Sequence, residues 1–518
     1  MLKMKSIILF LIFSTSGYAQ MQLDWAANYR GPYSGGIDVS RAIAVDDSGN
    51  VYITGTSQLA ANFFESVTIK YNTFGDTVWL RHYQRPGSSN THGQDIKIDD
   101  SGFIYVAAGG FIKYNAGGDL IWQKYDSTIY LKIILDSSGN IYGGGTSQRK
   151  LIAGKYDKNG NRIWKKSYSF PGSDGNDKFG GVVLDKFGNI IITGPSKSIT
   201  TFYDYATVKY SNDGNMIWSR RYNGPSSYSS DLSYGVTSDL FGNIYVTGFS
   251  MDSLDNTNCF TIKYDSSGNT LWVKRIQTSE NIANVGCNLV TDSSQNVFIA
   301  GRRGGWTATL KLDINGNKIW SALYQQGDIY DTNWPVIILD SAYNVHVSAN
   351  STPNPNSTDY AAIKYDSSGN HIYTVTYNYL PISFDYAYAM ALDKKGSLYL
   401  TGEFAGAYGN YGTVKFSPII TAISGNYFTI PDKFKLEQNF PNPFNPVTLI
   451  RYSLSENSFT TLKVYDALGK EVSTLINENK TSGNYEIEFN GSNLASGVYF
   501  YRLESAEFIE IKRMVLIK

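Results

Sequence analysis

Cysteine and histidine are scarce in this 518-residue chain, with two of the first and four of the second. Cys259 and Cys287 cannot make a disulfide framework. They form one bridge or stay two buried thiols, and a large β-protein has no need of the staple. His82, His92, His346 and His371 share no ligand-like spacing and no His–Cys cluster exists, so no metal site is expected. Net charge is missing as well, since 45 Lys and Arg stand against 45 Asp and Glu. Nucleic acid and anionic membrane are therefore not expected as main partners, because both call for a basic excess. No segment reaches the ~20 apolar residues that a membrane-spanning helix requires. Nor does any long stretch place apolar residues at helical spacing.

What the chain does hold is glycine and tyrosine, 49 and 40 of them. Many glycines with many aromatics mean short strands joined by tight turns, so the protein reads as all-β. The length exceeds one ordinary core and calls for several domains or a repeat array. At the start, Lys3 and Lys5 precede a short apolar run at residues 7–13 (IILFLIF) and a small-residue stretch ending Gly17-Tyr18-Ala19. That is the pattern of a secretion signal over residues 1–19, with cleavage expected between Ala19 and Gln20.

The repeat emerges when the chain is cut at Asp-x-x-Gly-Asn turns. The first-turn aspartate recurs at Asp46, Asp99, Asp136, Asp185, Asp239, Asp292, Asp340 and Asp393. The mean interval is about 50 residues, the size of a propeller blade. Each unit holds four strand candidates: one before the Asp turn, one after it (residues 51–55 in the first unit), a Thr-Ile-Lys-Tyr run, and a fourth carrying Trp. Asp can bond the backbone of its own turn and Gly supplies a positive φ, so both turns have a physical logic. Four antiparallel strands per repeat, arrayed radially, predict a β-propeller over residues 20–417. The last unit stops at Ser417-Pro418 without a fourth strand, while residues 23–29 (LDWAANY) match fourth-strand text. The N-terminal strand is thus expected to complete the last blade, giving eight blades.

The motif Asp-x-Ser-Gly-Asn-hydrophobic-Tyr-hydrophobic-Thr-Gly, followed by Lys-Tyr-Asp-x-x-Gly-Asn-x-x-Trp, resembles the SBBP-type β-propeller repeats of secreted bacterial proteins. That resemblance implies a propeller fold and an extracellular location but no reaction. Family naming implies seven blades, from which a count of eight departs. After a linker at residues 418–433, short alternating strands in residues 434–518 predict a small β-sandwich. Three of its blocks are Gln438-Asn439-Phe440-Pro441-Asn442-Pro443-Phe444-Asn445-Pro446, Ser496-Gly497-Val498-Tyr499, and a terminal run from Lys512 to Lys518. Together they resemble the C-terminal sorting domain of the bacterial type IX secretion system. The resemblance implies that the export machinery is a partner and that the protein ends outside the cell, released or surface-attached. Three prolines in six residues are expected to prevent regular pairing there.

Repetition accounts for most of the conspicuous chemistry. Trp79, Trp122, Trp164, Trp218, Trp272 and Trp320 share one repeat position, with Trp25 and Tyr373 completing it, as packing between blades demands. Lysine also recurs once per unit, at Lys70, Lys113, Lys155, Lys209, Lys263, Lys311, Lys364 and Lys415. Eight aspartates against eight lysines favour solvated or Asp-paired cations over a ligand-gathering ring. Trp306 and Trp334 lie outside the pattern and are the candidate ligand contacts. No nucleophile elbow or calcium loop occurs, and no catalytic, metal or cofactor residue is assigned. The expected function is a monomeric, non-enzymatic binding, adhesion or scaffold module with a glycan or protein ligand, its recognition carried by variable loops at 58–64, 168–177, 200–205, 251–258 and 351–359. The alternative is an extracellular hydrolase, lyase or quinoprotein-like oxidoreductase acting across the channel. Quinoprotein repeats resemble the spacing of Asp157, Gly160 and Trp164, but place the glycine one residue farther on.

Overall fold

The computed structural model describes residues 20–517, apart from 127, 199, 201, 225–229, 252–256, 277–283, 304–305, 325–333, 355–356, 406–408, 420–432 and 440. The predicted leader with Ala19, most of the predicted linker, and Lys518 lie outside the described residues; Gln20 is described and exposed. The chain divides into two compact units, residues 1–419 and 420–518. Among the described residues there are strands and turns and no α-helix.

Among the described residues the first unit contains eight antiparallel sheets. The first sheet is built from Asp38–Val45, Val51–Ala60, Phe63–Tyr71 and Thr77–Tyr83 in chain order. Six more follow over residues 95–125, 129–168, 173–222, 231–276, 284–324 and 337–377. The eighth sheet takes Tyr386–Leu392, Leu398–Ala405 and Gly409–Pro418, and its outer strand is Met21–Tyr29. In that last pairing Trp25 stands opposite Lys415, the register that puts Trp79 opposite Lys70 in the first sheet. The innermost strands of successive sheets neighbour one another from the first sheet to the seventh; the first strand of the eighth adjoins the second and third strands of the seventh and the first strand of the first sheet. Each adjoining pair of sheets shares one buried apolar cluster. The cluster of Val51, Ile69, Tyr71, Tyr399 and Tyr411 joins the eighth sheet to the first, so the array closes. Even the second sheet, from the repeat with the shortest interval, keeps four strands, with two of only four residues.

The first turns are clasped by their aspartates, and the second by an aspartate or by Asn72, Asn115 and Ser211 in its place. Asp46 Oδ1 accepts the Ser48 and Asn50 amides at 3.0 and 2.8 Å, and Asn50 Nδ2 donates to Oδ2 at 2.8 Å. The tryptophans then lock sheet to sheet. Trp218 Nε1 donates to Ser266 O at 3.1 Å, across to the second turn of the next sheet, and Trp25 does the same to Thr73 O at 3.0 Å. Gly268 is obligatory beneath this ring: its φ is +83°, and a Cβ would stand 2.8 Å from Trp218.

The lysines depart from the expected pairing. Lys209 bonds Asp185 at 2.8 Å and Lys364 bonds Asp340 at 2.9 Å, but Lys70 and Lys311 donate to Ala116 O and Ser367 O at 3.0 and 2.9 Å. The reason lies on the second strand. Where it carries tyrosine, the hydroxyl occupies the aspartate, as Tyr52 does on Asp46 at 3.0 Å. Ile191 and His346 replace that tyrosine in the fourth and seventh sheets, and there the lysine reaches the carboxylate; in the sixth sheet Phe298 replaces it without a hydroxyl, and Lys311 lies over that ring and keeps the Ser367 carbonyl. Lys415 pairs with Asp24 of the closing strand at 3.0 Å, because Tyr399 holds Asp393. None of these cations forms an open ring.

A second family of aspartates begins the innermost strands. Asp385, fully buried, accepts the Tyr379 and Ala405 amides at 2.8 and 3.1 Å and the Ser383 hydroxyl at 3.1 Å. Burial nevertheless pushes its carboxyl up to about 6, as it does for Asp231. Both values exceed the ordinary aspartate pKa, so the folded chain takes these protons first. The stability they withhold at neutral pH is recovered as pH falls from about 6 towards about 4. His92 and His346 act oppositely, since burial lowers their pKa and the unfolded chain protonates first. The difference between wild type and Asp385→Asn isolates the carboxyl. On going from pH 7.5 to 5.0, the urea midpoint of the wild type gains relative to the variant; parallel pH profiles would refute the assignment.

The second unit is a sandwich of a three-stranded sheet (Lys435–Leu436, Val447–Leu454, Gly483–Asn490) and a four-stranded sheet (Glu471–Lys480, Ser458–Asp466, Gly497–Ser505, Phe508–Leu516). Leu436, Phe444, Ile450, Leu462, Val464, Tyr501, Leu503, Met514 and Leu516 fill the space between them.

Candidate functional site

Departures from the repeat gather at the loop end of the first unit, opposite the Asp turns. The innermost strand carries an extra residue there in five sheets, where the pairing register slips past Arg41, Leu131, Tyr234, Cys287 and Tyr388. A bulge re-aims the side chain of the inserted residue. The glycine of each Thr-Gly pair makes room for it: a Cβ on Gly55 would lie 2.0 Å from Val39 O, and one on Gly402 would lie 1.9 Å from Tyr386 O. The next residue along the second strand also varies, running Thr56, Thr146, Pro195, Phe249, Arg302, Asn350 and Glu403 in seven of the sheets.

These two columns form two clusters. In the first, Tyr388 donates its hydroxyl to Glu403 Oε2 at 3.4 Å. Burial raises the Glu403 carboxyl, opposed by that bond and by Arg41. His92 Nδ1 meets Thr56 Oγ1 at 3.0 Å, and burial, reinforced by Arg41, lowers its pKa. Arg41 itself is exposed and takes part in no hydrogen bond or ion pair among the described residues. In the second cluster, Trp334 is 45% exposed and its ring lies 4.3 Å from that of Tyr234. The Arg302 guanidinium stands 5.2 Å from the Trp334 ring, and Phe249 backs Tyr234 at 6.0 Å.

Of the two tryptophans singled out in the sequence, only Trp334 enters a cluster. Trp306 is half-buried at a strand start, opposite Arg303, and forms no ring contact with Trp334. Arg41, His92, Tyr388 and Glu403 were not singled out at all. The signal was present as the residue after each Thr-Gly pair, but the bulge column is invisible until strand register is known. Cys259 and Cys287 are both buried and unbridged, and burial pushes the Cys259 thiol up to about 11. Among the described residues, no group of three His, Cys, Asp or Glu could hold a metal.

A separate site occupies the sandwich. The proline-rich segment does pair, contrary to expectation: Phe444 forms a parallel bridge with Leu516. Its N–H donates to Val515 O at 2.9 Å and its carbonyl accepts Ile517 N–H at 3.0 Å. The prolines at 441, 443 and 446 lack an N–H, but Phe444 between them has one to give. Asn442 Oδ1 accepts the Val515 amide at 2.9 Å, and Gln438 Nε2 donates to Arg513 O at 2.7 Å. Asn439 Nδ2 closes the segment on Pro441 O at 3.0 Å. Pro441, Asn442, Pro443 and Asn445 stay exposed, Pro446 is half-buried, Gly497 is exposed, and Lys512 pairs with Glu510 at 2.8 Å. Motif blocks some 70 residues apart are thus one continuous surface.

Comparison with known proteins agrees with both architectures. Residues 438–518 match the family described as the secretion system C-terminal sorting domain, and residues 31–60 match the beta-propeller repeat. The chain carries a beta-propeller repeat and a secretion system C-terminal sorting domain. It is a type IX secretion cargo, destined for the cell surface or the medium. An uncharacterized WD repeat-containing protein of Acanthamoeba polyphaga mimivirus is 25% identical over 346 residues, 52% of this chain and 24% of that protein. The chain therefore spans about a quarter of that relative. Among solved structures, PorZ, a surface component of the type-IX secretion system of Porphyromonas gingivalis, is 13% identical with a TM-score of 0.37, over 92% of this chain and 59% of its own. A puromycin hydrolase mutant is 10% identical with a TM-score of 0.43, over 72% of this chain and 59% of its own.

Proposed function

We propose that residues 20–417 form an eight-bladed, non-enzymatic binding or adhesion module that holds an extracellular glycan or protein at its loop end. A signal peptide at residues 1–19 starts export and residues 434–518 complete it. The observation carrying this reading is that polar and aromatic departures from the repeat converge at one mouth, while the repeated Trp, Lys and Asp are spent on architecture. Rigid rings usually keep recognition at such loop ends. Glycan-array binding by the propeller, with a surface-localisation assay of a chain lacking 434–518, tests both halves. Binding to no array member, or undiminished export after the deletion, refutes the corresponding half.

One observation favours a second reading, an extracellular lyase or hydrolase. Glu403 with a raised pKa, beside Tyr388, Arg41 and His92, has the composition of an acid–base site. Turnover of a bound glycan that disappears in Glu403→Gln would establish it; binding without turnover leaves the first reading.

A further inference from the structure

The junction between the fifth and sixth sheets lacks rings that fill the same place in other junctions. Four residues before the repeated lysine, the fourth, seventh and eighth sheets carry Tyr205, Tyr360 and Tyr411, all fully buried. Each reaches the following sheet, where its hydroxyl donates to a carbonyl: Phe260 O at 3.2 Å, Gly412 O at 3.1 Å and Val67 O at 3.4 Å. A second tyrosine stands opposite on the outermost strand, at Tyr222, Tyr377 and Tyr29. The fifth sheet has Cys259 and Ile276 at these two places. Phe260, which packs near Tyr222 at 5.9 Å, has Ala308 as its counterpart in the sixth sheet.

What these smaller side chains leave is a cavity of about 200 Å³, walled by Cys259, Ile276, Ile299, Ala308, Leu310 and Leu323. All six lie on strands. Burial pushes the Cys259 thiol up to about 11, so that wall is uncharged at neutral pH. Leu323 and its neighbour along the lining, Ser321, are exposed and give the cavity an opening at the outer edge. The Ala308 carbonyl lacks both side-chain donors that its counterparts receive. Thr54, Thr247 and Thr401 donate their hydroxyls to Val67 O, Phe260 O and Gly412 O at 3.2, 3.3 and 3.0 Å. Ala300 stands at the threonine's place in the sixth sheet, and Cys259 stands at the tyrosine's.

We infer that this cavity binds a small phenol, its ring in the place of the missing tyrosine and its hydroxyl donating to Ala308 O. An aliphatic cavity of ~150 Å³ is enough for benzene, so the larger one here has room for a hydroxyl and a methyl group besides. The site lies in the wall of the ring and uses neither cluster of the mouth, so its outcome is separate from that of the binding function proposed above.

The test is calorimetric titration of residues 20–518 with p-cresol and with toluene, which keeps the ring and loses only the hydroxyl. p-Cresol is expected to bind at a single site, more tightly than toluene by about threefold to tenfold, the worth of one hydrogen bond. Cys259→Tyr and Ile276→Tyr each put back a ring that the fourth sheet already holds. Both should abolish p-cresol binding and melt no lower than the wild type. Absence of p-cresol binding rejects the site. Toluene binding as tightly as p-cresol rejects the hydrogen bond to Ala308 O. Binding that survives in both variants puts the phenol elsewhere, and a melt well below the wild type for both shows that the junction has no room for a ring.

Discussion

An alanine at Phe444 will cost the sorting sandwich about 3–5 kcal/mol, the usual price of truncating a buried aromatic. The ring is 2% exposed, packs against Phe489 at 5.9 Å, and holds its segment beneath the last strand. A domain of this size has roughly 4–12 kcal/mol in hand at ordinary stability per residue, so the variant sits near its unfolding threshold. The bonds from Asn442 to Val515 and from Gln438 to Arg513 would be released with it. Limited proteolysis of the full chain will then clip within residues 434–518 while the propeller persists, and the protein will fail to reach the surface. Phe444→Leu should recover most of the protease resistance. If Phe444→Ala digests like the wild type, the segment does not hold the strand as described.

Removing residues 20–30 will open the propeller. The last sheet loses its outer strand, and Gly409–Pro418 becomes a bare edge. Trp25, which caps the second turn of the first sheet through Thr73 O, goes with it, as does the Asp24 partner of Lys415. The tryptophan alone is worth about 3–5 kcal/mol, which for a unit this large means a midpoint lowered by about 4–6 °C. An unpaired edge also invites strand addition. Light scattering and a thermal melt should show both the lower midpoint and self-association, and Trp25→Ala should show the lower midpoint without a new edge. A deletion that melts at the wild-type temperature as a monomer would contradict closure by this strand.

The ring's strands were legible because their signals are local. Asp46, Gly49 and Asn50 specify a turn within five residues, and a pattern seen eight times needs little help from context. The tryptophans were readable as packing because they repeat. The partners of the lysines were not, since the choice between carboxylate and carbonyl depends on which side chain arrives from the next strand: a tyrosine hydroxyl at Tyr52 and a bare ring at Phe298 both leave the lysine on a carbonyl, whereas Ile191 leaves it the carboxylate. The proline-rich segment misled for a related reason. Proline excludes its own N–H from pairing, yet the phenylalanine between two prolines can still bridge to a strand far along the chain.

The sequence by itself determined the class of the protein: an all-β repeat ring, its closing strand, a sorting sandwich behind it, and export as its destination. Short-range turn chemistry and repetition carry that information redundantly, so no long-range knowledge is needed to read it. The mouth was decided only by tertiary structure. Arg41 and Glu403 stand 362 positions apart and interact because the eighth sheet closes on the first. Tyr234 and Trp334 meet across one hundred positions, at a bulge that Gly248 on the adjoining strand makes sterically possible. Contacts of that kind are set by ring closure and strand register, which belong to the assembled array and to no single repeat.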